Sequence, residues 1–120
     1  MTSGNWGQHV LLKLIIMAKV VLGWSSLTVP QKIIRVRYVV TTTGNNPLTY
    51  ATPDPTLQVL SDKADELEAA EAAISKGGTD LTVIRNARLT EMTELMNRFV
   101  LYVQNVSGGE PEIIVLSGLD

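Results

Sequence analysis

Residues 55–109 read PTLQVLSDKADELEAAEAAISKGGTDLTVIRNARLTEMTELMNRFVLYVQNVSGG, and this stretch decides the fold because it has the pattern of two consecutive helices. Apolar residues in its first half fall three or four apart, on one stripe of a helix with 3.6 residues per turn. They are Leu57, Leu60, Ala64, Leu67, Ala70 and Ile74. The second half has a corresponding predicted buried side of Leu81, Ile84, Met92, Leu95, Met96, Phe99 and Val103. The pattern predicts a helical hairpin, which is a framework without a catalytic motif.

Capping signals set the ends of these two helices. Lys76 followed by Gly77 and Gly78 is typical of a helix C-terminus, and Gly108 with Gly109 supplies a second stop. Asp54 and Asp80 are the predicted N-caps. The predicted helices therefore span about 56–76 and 80–106.

An earlier segment, about 29–43, carries conflicting signals. Thr28 is a predicted N-cap, Gln31 follows it at capping-box spacing, and Pro30 lies in the first turn, all of which favour a helix. The β-branched and aromatic side chains favour a strand instead: they are Ile33, Ile34, Val36, Tyr38, Val39 and Val40. Local pattern alone leaves both structures open, and Gly44–Pro47 ends the segment in either case.

Two further apolar segments lie near the ends of the chain. The run from His9 to Gly23 is compatible with a buried strand or a buried helix. Its core, Val10–Val21, is interrupted by Lys13 and Lys19 and is too short to span a membrane comfortably. The segment 112–117 after Pro111 is predicted to be extended. We therefore expect a mainly α protein: a three-helix bundle with an apolar, extended or helical N-terminal segment and a short extended C-terminal segment.

Composition narrows the classes of function. The 120 residues contain no cysteine, which excludes disulfides, Cys-based zinc sites and thiol catalysis. Residues 1–50 carry five basic and no acidic side chains, whereas residues 51–120 carry five basic and twelve acidic ones. Halves of opposite charge attract each other, so we expect the basic helix to lie near the acidic hairpin, with contact between subunits as the alternative. Five scattered basic residues with few aromatics make a weak nucleic-acid footprint, and no nucleic-acid partner is predicted.

Candidate chemical groups favour structural roles. The hairpin's first helix is rich in carboxylates, but a di-iron bundle would need Glu-x-x-His pairs on facing helices, and the single histidine, His9, lacks that spacing. Ser25 and Ser26 lack a nucleophile elbow. The sequence therefore predicts no catalytic residue, no metal ligand and no cofactor, and the protein is not expected to be an enzyme.

Large apolar side chains near the N-terminus are the candidate interaction residues, because exposing them to water is unfavourable. They are Trp6, Leu11, Leu12, Leu14, Ile15 and Trp24. A second candidate surface is the stripe of Met92, Met96 and Phe99, which fits a core role better but would also suit an adaptable groove for another protein or a small ligand.

The chain resembles a helical module that precedes a fibronectin type III-like domain in many bacterial proteins, notably from Bacteroidetes. The resemblance covers about Met17 to Asp120 and is carried by four motifs in a specific order. They are MAKVVLGWSSLTVPQKI from Met17, TGNNPLTYATPDPTL from Thr43, LEAAEAAISKGGTDLTVIRNAR from Leu67 and LMNRFVLYVQNVSGGEPEIIVLSGLD from Leu95.

The resemblance implies a domain organisation and a helix over Gln31–Thr42. Residues 1–16 would be an N-terminal extension, residues 17–120 a single helical-bundle domain, and a β-sandwich would follow the motif at Leu116–Gly118. The expected function is non-enzymatic: a structural or assembly module, self-associating, in a surface or phage-like particle. Its expected partners are further copies or a neighbouring structural protein, without a membrane span, and a cytoplasmic or particle-associated location is favoured over secretion.

Overall fold

The computed structural model describes residues 24–119, and this part of the chain is helical throughout its regular structure. Helix α1 spans Val29–Gly44, α2 spans Leu57–Ile74 and α3 spans Thr79–Ser107. A short helix α4, Pro111–Ile114, and a 3-10 turn, Val115–Ser117, follow. The prediction of a mainly α bundle is confirmed, and the three long helices begin and end within two residues of their predicted limits.

Helix α1 forms despite its β-branched content. The side chain of Thr28 accepts a hydrogen bond from the Gln31 backbone N–H, and the Gln31 side chain accepts one from the Thr28 N–H, so the predicted capping box is present. Pro30 occupies the first turn, where its missing N–H is not needed. One side of α1 is buried in the bundle, through Ile33, Val36, Val39 and Thr43. Capping and burial together outweigh the local strand propensity.

Helix α2 packs against both α1 and α3. Leu60, Ala64 and Leu67 are fully buried, as the predicted stripe requires. The expected N-cap at Asp54 is wrong, because the helix begins later and Thr56 accepts the hydrogen bond from the Val59 N–H at 3.2 Å. The Asp54 carboxylate instead accepts a hydrogen bond from Arg98 at 2.6 Å.

Helix α3 is continuous over 29 residues, which corresponds to about 43 Å at the standard rise per residue. Its N-cap is Gly78, and the expectation that Asp80 caps it is wrong because Asp80 lies inside the first turn, where its charge faces the positive end of the helix dipole. The expectation that Ile84 is buried is wrong: it is 48% exposed, and the buried residues of α3 begin only at Met92. The predicted stop is confirmed, since Gly108 is left-handed.

The C-terminal segment is helical, so the prediction that 112–117 is extended is wrong. Pro111 lies in the first turn of α4, and the N–H groups of Ile113 and Ile114 donate to the Glu110 carbonyl. Ile114 and Leu119 are buried in the same core as α1 and α3. Proline's fixed φ and this burial favour helical turns over the strand propensity of the apolar run.

Opposite charges meet between α1 and α2, as the charge asymmetry predicts. The Arg37 guanidinium lies 3.0 Å from the Asp65 carboxylate and 3.4 Å from that of Glu68. These side chains are substantially exposed, so the pairs align the helices more than they stabilise them. No helix within residues 24–119 is both long and apolar enough to cross a bilayer. The Val10–Val21 run and the proposed boundary at residues 16 and 17 lie outside the described residues.

Candidate interaction surface

The predicted interaction residues divide into one that the structure describes and five that it does not. Trp6, Leu11, Leu12, Leu14 and Ile15 lie outside the described residues. Trp24 is only 7% exposed, and its indole N–H donates to the Thr93 hydroxyl of α3 at 3.1 Å. Lys32 adds a cation 5.8 Å from the centre of the Trp24 ring. Trp24 therefore anchors the chain before α1 to the bundle instead of forming an open surface.

The methionine and phenylalanine stripe is part of the core. Met92 and Phe99 are fully buried and Met96 is 5% exposed, so their side chains fill the space between the helices. The ring of Phe99 lies beside Tyr102, with their centres 6.1 Å apart. This side of the bundle offers no open groove through Met92, Met96 and Phe99, and the core interpretation of the stripe is the one that the burial supports.

The carboxylates of the hairpin form ion pairs at its surface. Lys63 lies 2.9 Å from Glu66 and 3.3 Å from Glu91, and its hydrogen bond to Glu66 is the main reason that its pKa is raised. The hydrogen bond from Lys63 lowers the pKa of Glu91. Across the hairpin, Arg85 donates to Glu71 at 2.7 Å. The neighbouring basic side chains favour the ionised form of these carboxyl groups. A carboxyl group that acts as a general acid needs the opposite environment, one that raises its pKa.

Metal-binding clusters are likewise not found in the part of the chain that the structure describes. Within residues 24–119 no three His, Asp or Glu side chains lie close enough to hold a metal ion. His9, the single histidine, is outside this region.

An open groove runs along the outer side of α1. We call it the α1 groove; it has a volume of about 390 Å³ and is lined by Leu27, Gln31, Ile34, Arg35, Tyr38 and Gly118. Ile34 is 68% exposed and Tyr38 is 60% exposed. Large apolar side chains at this exposure, next to each other on one helix, mark a surface suited to a partner.

Helical geometry explains why these side chains face outward. Ile34 and Tyr38 each lie two residues from the fully buried Val36, which places them about 160° from it around the helix axis. Helix α1 therefore carries two large apolar side chains on its outer side, next to the polar residues Gln31 and Arg35 of the groove. The outer side of an ordinary surface helix is polar, so these two apolar side chains lack a cover within the described bundle.

The C-terminal turn forms one wall of the groove, and buried polar groups fix it to α1. The Thr43 hydroxyl donates to the Ser117 carbonyl at 3.0 Å. The Asn46 amide donates to the Leu116 carbonyl at 3.0 Å, so the end of α1 holds the turn at two points. Gly118 then passes so close to α1 that a Cβ there would lie 3.1 Å from the Val39 Cα.

Tyr50, in the connector between α1 and α2, holds the short helix α4 that leads directly into this turn. Its hydroxyl donates to the Ile113 carbonyl, and its side chain is 2% exposed. Burial raises the pKa of the Tyr50 phenol above its ordinary value, although a hydrogen bond with Ser117 partly offsets this. The wall of the groove is therefore rigid and preorganised, which reduces the entropic cost of binding.

Sequence patterns missed the α1 groove, although a signal for it was present. Seven of the sixteen residues of α1 are apolar, and two of them, Ile34 and Tyr38, fall outside the stripe that faces the bundle. No family model, curated protein or solved structure matches this chain. The α1 groove, with its exposed apolar side chains, is therefore the feature of the described residues that bears on function.

Proposed function

We propose that this protein is a non-enzymatic structural module that assembles with further copies of itself, and that the α1 groove is its contact surface. The observation that carries this proposal is the exposure of Ile34 and Tyr38, two large apolar side chains one turn apart on the outer side of α1. Burying one such side chain at an interface contributes about 1.5–3 kcal/mol, so covering both is a substantial driving force for association.

The distribution of charge supports self-association as well. Residues 1–50, which include α1, carry five basic and no acidic side chains, and the rest of the chain has an excess of seven acidic ones. A second copy therefore always presents charge of the opposite sign to the basic half of the first copy. This attraction guides association and is weakened by salt, while apolar contact supplies the affinity.

For the biological setting, the proposal relies on the resemblance to the bacterial helical module. That resemblance supports an assembly role in a surface or phage-like particle, next to a fibronectin type III-like domain. A rigid bundle with a preorganised groove suits such a role, because a particle needs repeated contacts of fixed geometry.

Paired substitutions test whether the α1 groove is the contact surface. Ile34→Lys places a charge in the groove and should weaken self-association by about tenfold or more, because the ammonium group would be desolvated at the interface. Val83→Lys is the matched control, since Val83 is 63% exposed, close to the 68% of Ile34, but lies on α3. The self-dissociation constant of each variant is measured by light scattering over a dilution series. Equal constants for the two variants would refute the assignment of the interface to the groove.

A further inference from the structure

We infer that the α1 groove is filled by the apolar segment Val10–Val21 of a second copy of the chain, so that two copies exchange their N-terminal segments. This inference rests on the proposed self-association and adds the identity of the group that the groove receives. Ten of the twelve residues from Val10 to Val21 are apolar, and Lys13 and Lys19 are the exceptions.

The position of this segment along the chain places it near the groove. Trp24, three residues after Val21, is fixed to α3 through Thr93. Leu27, three residues further on, lines the groove. The six residues from Val21 to Leu27 reach at most about 20 Å, so the segment of each copy starts close to its own groove. In a dimer with two-fold symmetry, the two segments, one from each copy, then lie between the two α1 grooves.

The size of the groove indicates that a second copy needs this segment. A stable interface usually buries about 800 Å² on each partner. The groove has six lining residues and two strongly exposed apolar side chains, Ile34 and Tyr38, which is a small contact by that standard. The ten apolar residues of Val10–Val21 supply the additional area.

The even distribution of apolar residues favours a second copy over the chain's own segment. Because Val10–Val21 is apolar at nearly every position, seating it in one groove covers one side and leaves another exposed to water. A single copy has one α1 groove to offer. Two copies bring two segments and two grooves together, so each segment is covered by a groove and by the other segment.

Cysteine crosslinking can identify which copy supplies the segment, because the chain has no native cysteine. Two full-length variants, Ile15→Cys and Tyr38→Cys, carry tags of different mass and are mixed before mild oxidation. We expect a mixed disulfide species, at several times the yield obtained when Val83→Cys replaces Tyr38→Cys. Thermal unfolding of each reduced variant checks that it is folded.

The possible results separate this inference from the proposed function. If a double variant with both cysteines forms a disulfide within one chain and the mixed species is not found, the chain's own segment fills the groove and the inference is overturned. A dimeric mass without either disulfide overturns the inference and leaves self-association standing. A mass of 13.1 kDa at every concentration overturns both.

A second measurement does not depend on disulfide geometry. Ile15→Asp in the full-length chain should weaken self-association by about tenfold or more, because it places a charge in the exchanged segment. Thr2→Asp, with the same change of charge outside Val10–Val21, should leave the dissociation constant unchanged. Equal effects of the two variants would overturn the inference.

Discussion

Replacing Gly118 by alanine tests how closely the C-terminal turn is fixed to α1. Gly118 has a φ of 87°, a left-handed conformation that costs an L-residue about 1–2 kcal/mol. The new methyl carbon would also lie 3.1 Å from the Val39 Cα, 3.2 Å from the Tyr38 ring and 3.3 Å from the Thr42 Cβ. Overpacking of this kind costs a further 1–3 kcal/mol or so. Gly118→Ala should therefore lower the free energy of unfolding by about 2–5 kcal/mol.

Gly77→Ala is the matched control for this substitution. Gly77 has a nearly identical φ of 85°, but a methyl group there would meet none of the described atoms within 4 Å. It should therefore lose only the conformational part, about 1–2 kcal/mol. Urea denaturation of both variants and of the parent protein measures the two losses. Equal losses would refute the close approach of the turn to α1 and, with it, the rigid wall of the α1 groove.

Two further substitutions test the core and the buried phenol. Phe99→Ala should lower the free energy of unfolding by about 3–5 kcal/mol because Phe99 is fully buried, whereas Leu101→Ala, at a 60% exposed position of the same helix, should change it by less than about 0.5 kcal/mol. If thermal unfolding shows similar losses of stability for the two variants, the orientation of α3, with Phe99 inward and Leu101 outward, is contradicted. The raised pKa of Tyr50 lies above its unfolded value of 10.0, so its contribution to stability is complete below that pH and is lost as the pH rises through the folded pKa. Tyr50→Phe should flatten this alkaline loss and cost about 1 kcal/mol near neutral pH, where the hydrogen bond to Ile113 disappears. Tyr38→Phe, at an exposed position, is the control and should change neither the stability at neutral pH nor the loss of stability at alkaline pH. Denaturation at several pH values measures both quantities. If Tyr50→Phe loses as much stability at alkaline pH as the parent protein, the role of the phenol is contradicted.

The long helices could be predicted from sequence because local and global signals agree there. In α2 the apolar spacing that buries Leu60, Ala64 and Leu67 coincides with good helix formers and a glycine stop. In α1 the capping box of Thr28 and Gln31 pointed to a helix while side-chain propensity pointed to a strand. Sequence pattern alone left both structures open, because the burial of Ile33, Val36 and Val39 that favours the helix depends on the rest of the bundle.

The C-terminal turn and the groove could not be predicted because they depend on contacts between distant parts of the chain. The hydrogen bond from the Thr43 hydroxyl to the Ser117 carbonyl joins residues 74 positions apart, and no local sequence pattern indicates it. The same is true of Asp54, whose predicted capping role is replaced by its contact with Arg98. For Ile34 and Tyr38 the sequence shows apolar residues, but the positions of α2 and of the C-terminal turn determine which side of α1 is left uncovered.

The mass of the intact chain in solution tests directly whether the protein associates with further copies of itself. Sedimentation equilibrium over a wide range of protein concentration gives this mass without any substitution or tag. If the protein self-associates, its mass should rise from the monomer value of 13.1 kDa to at least twice that value as the concentration increases. High salt should shift this association only modestly, because apolar contact supplies most of the affinity. A mass that stays at 13.1 kDa at every concentration would contradict the account.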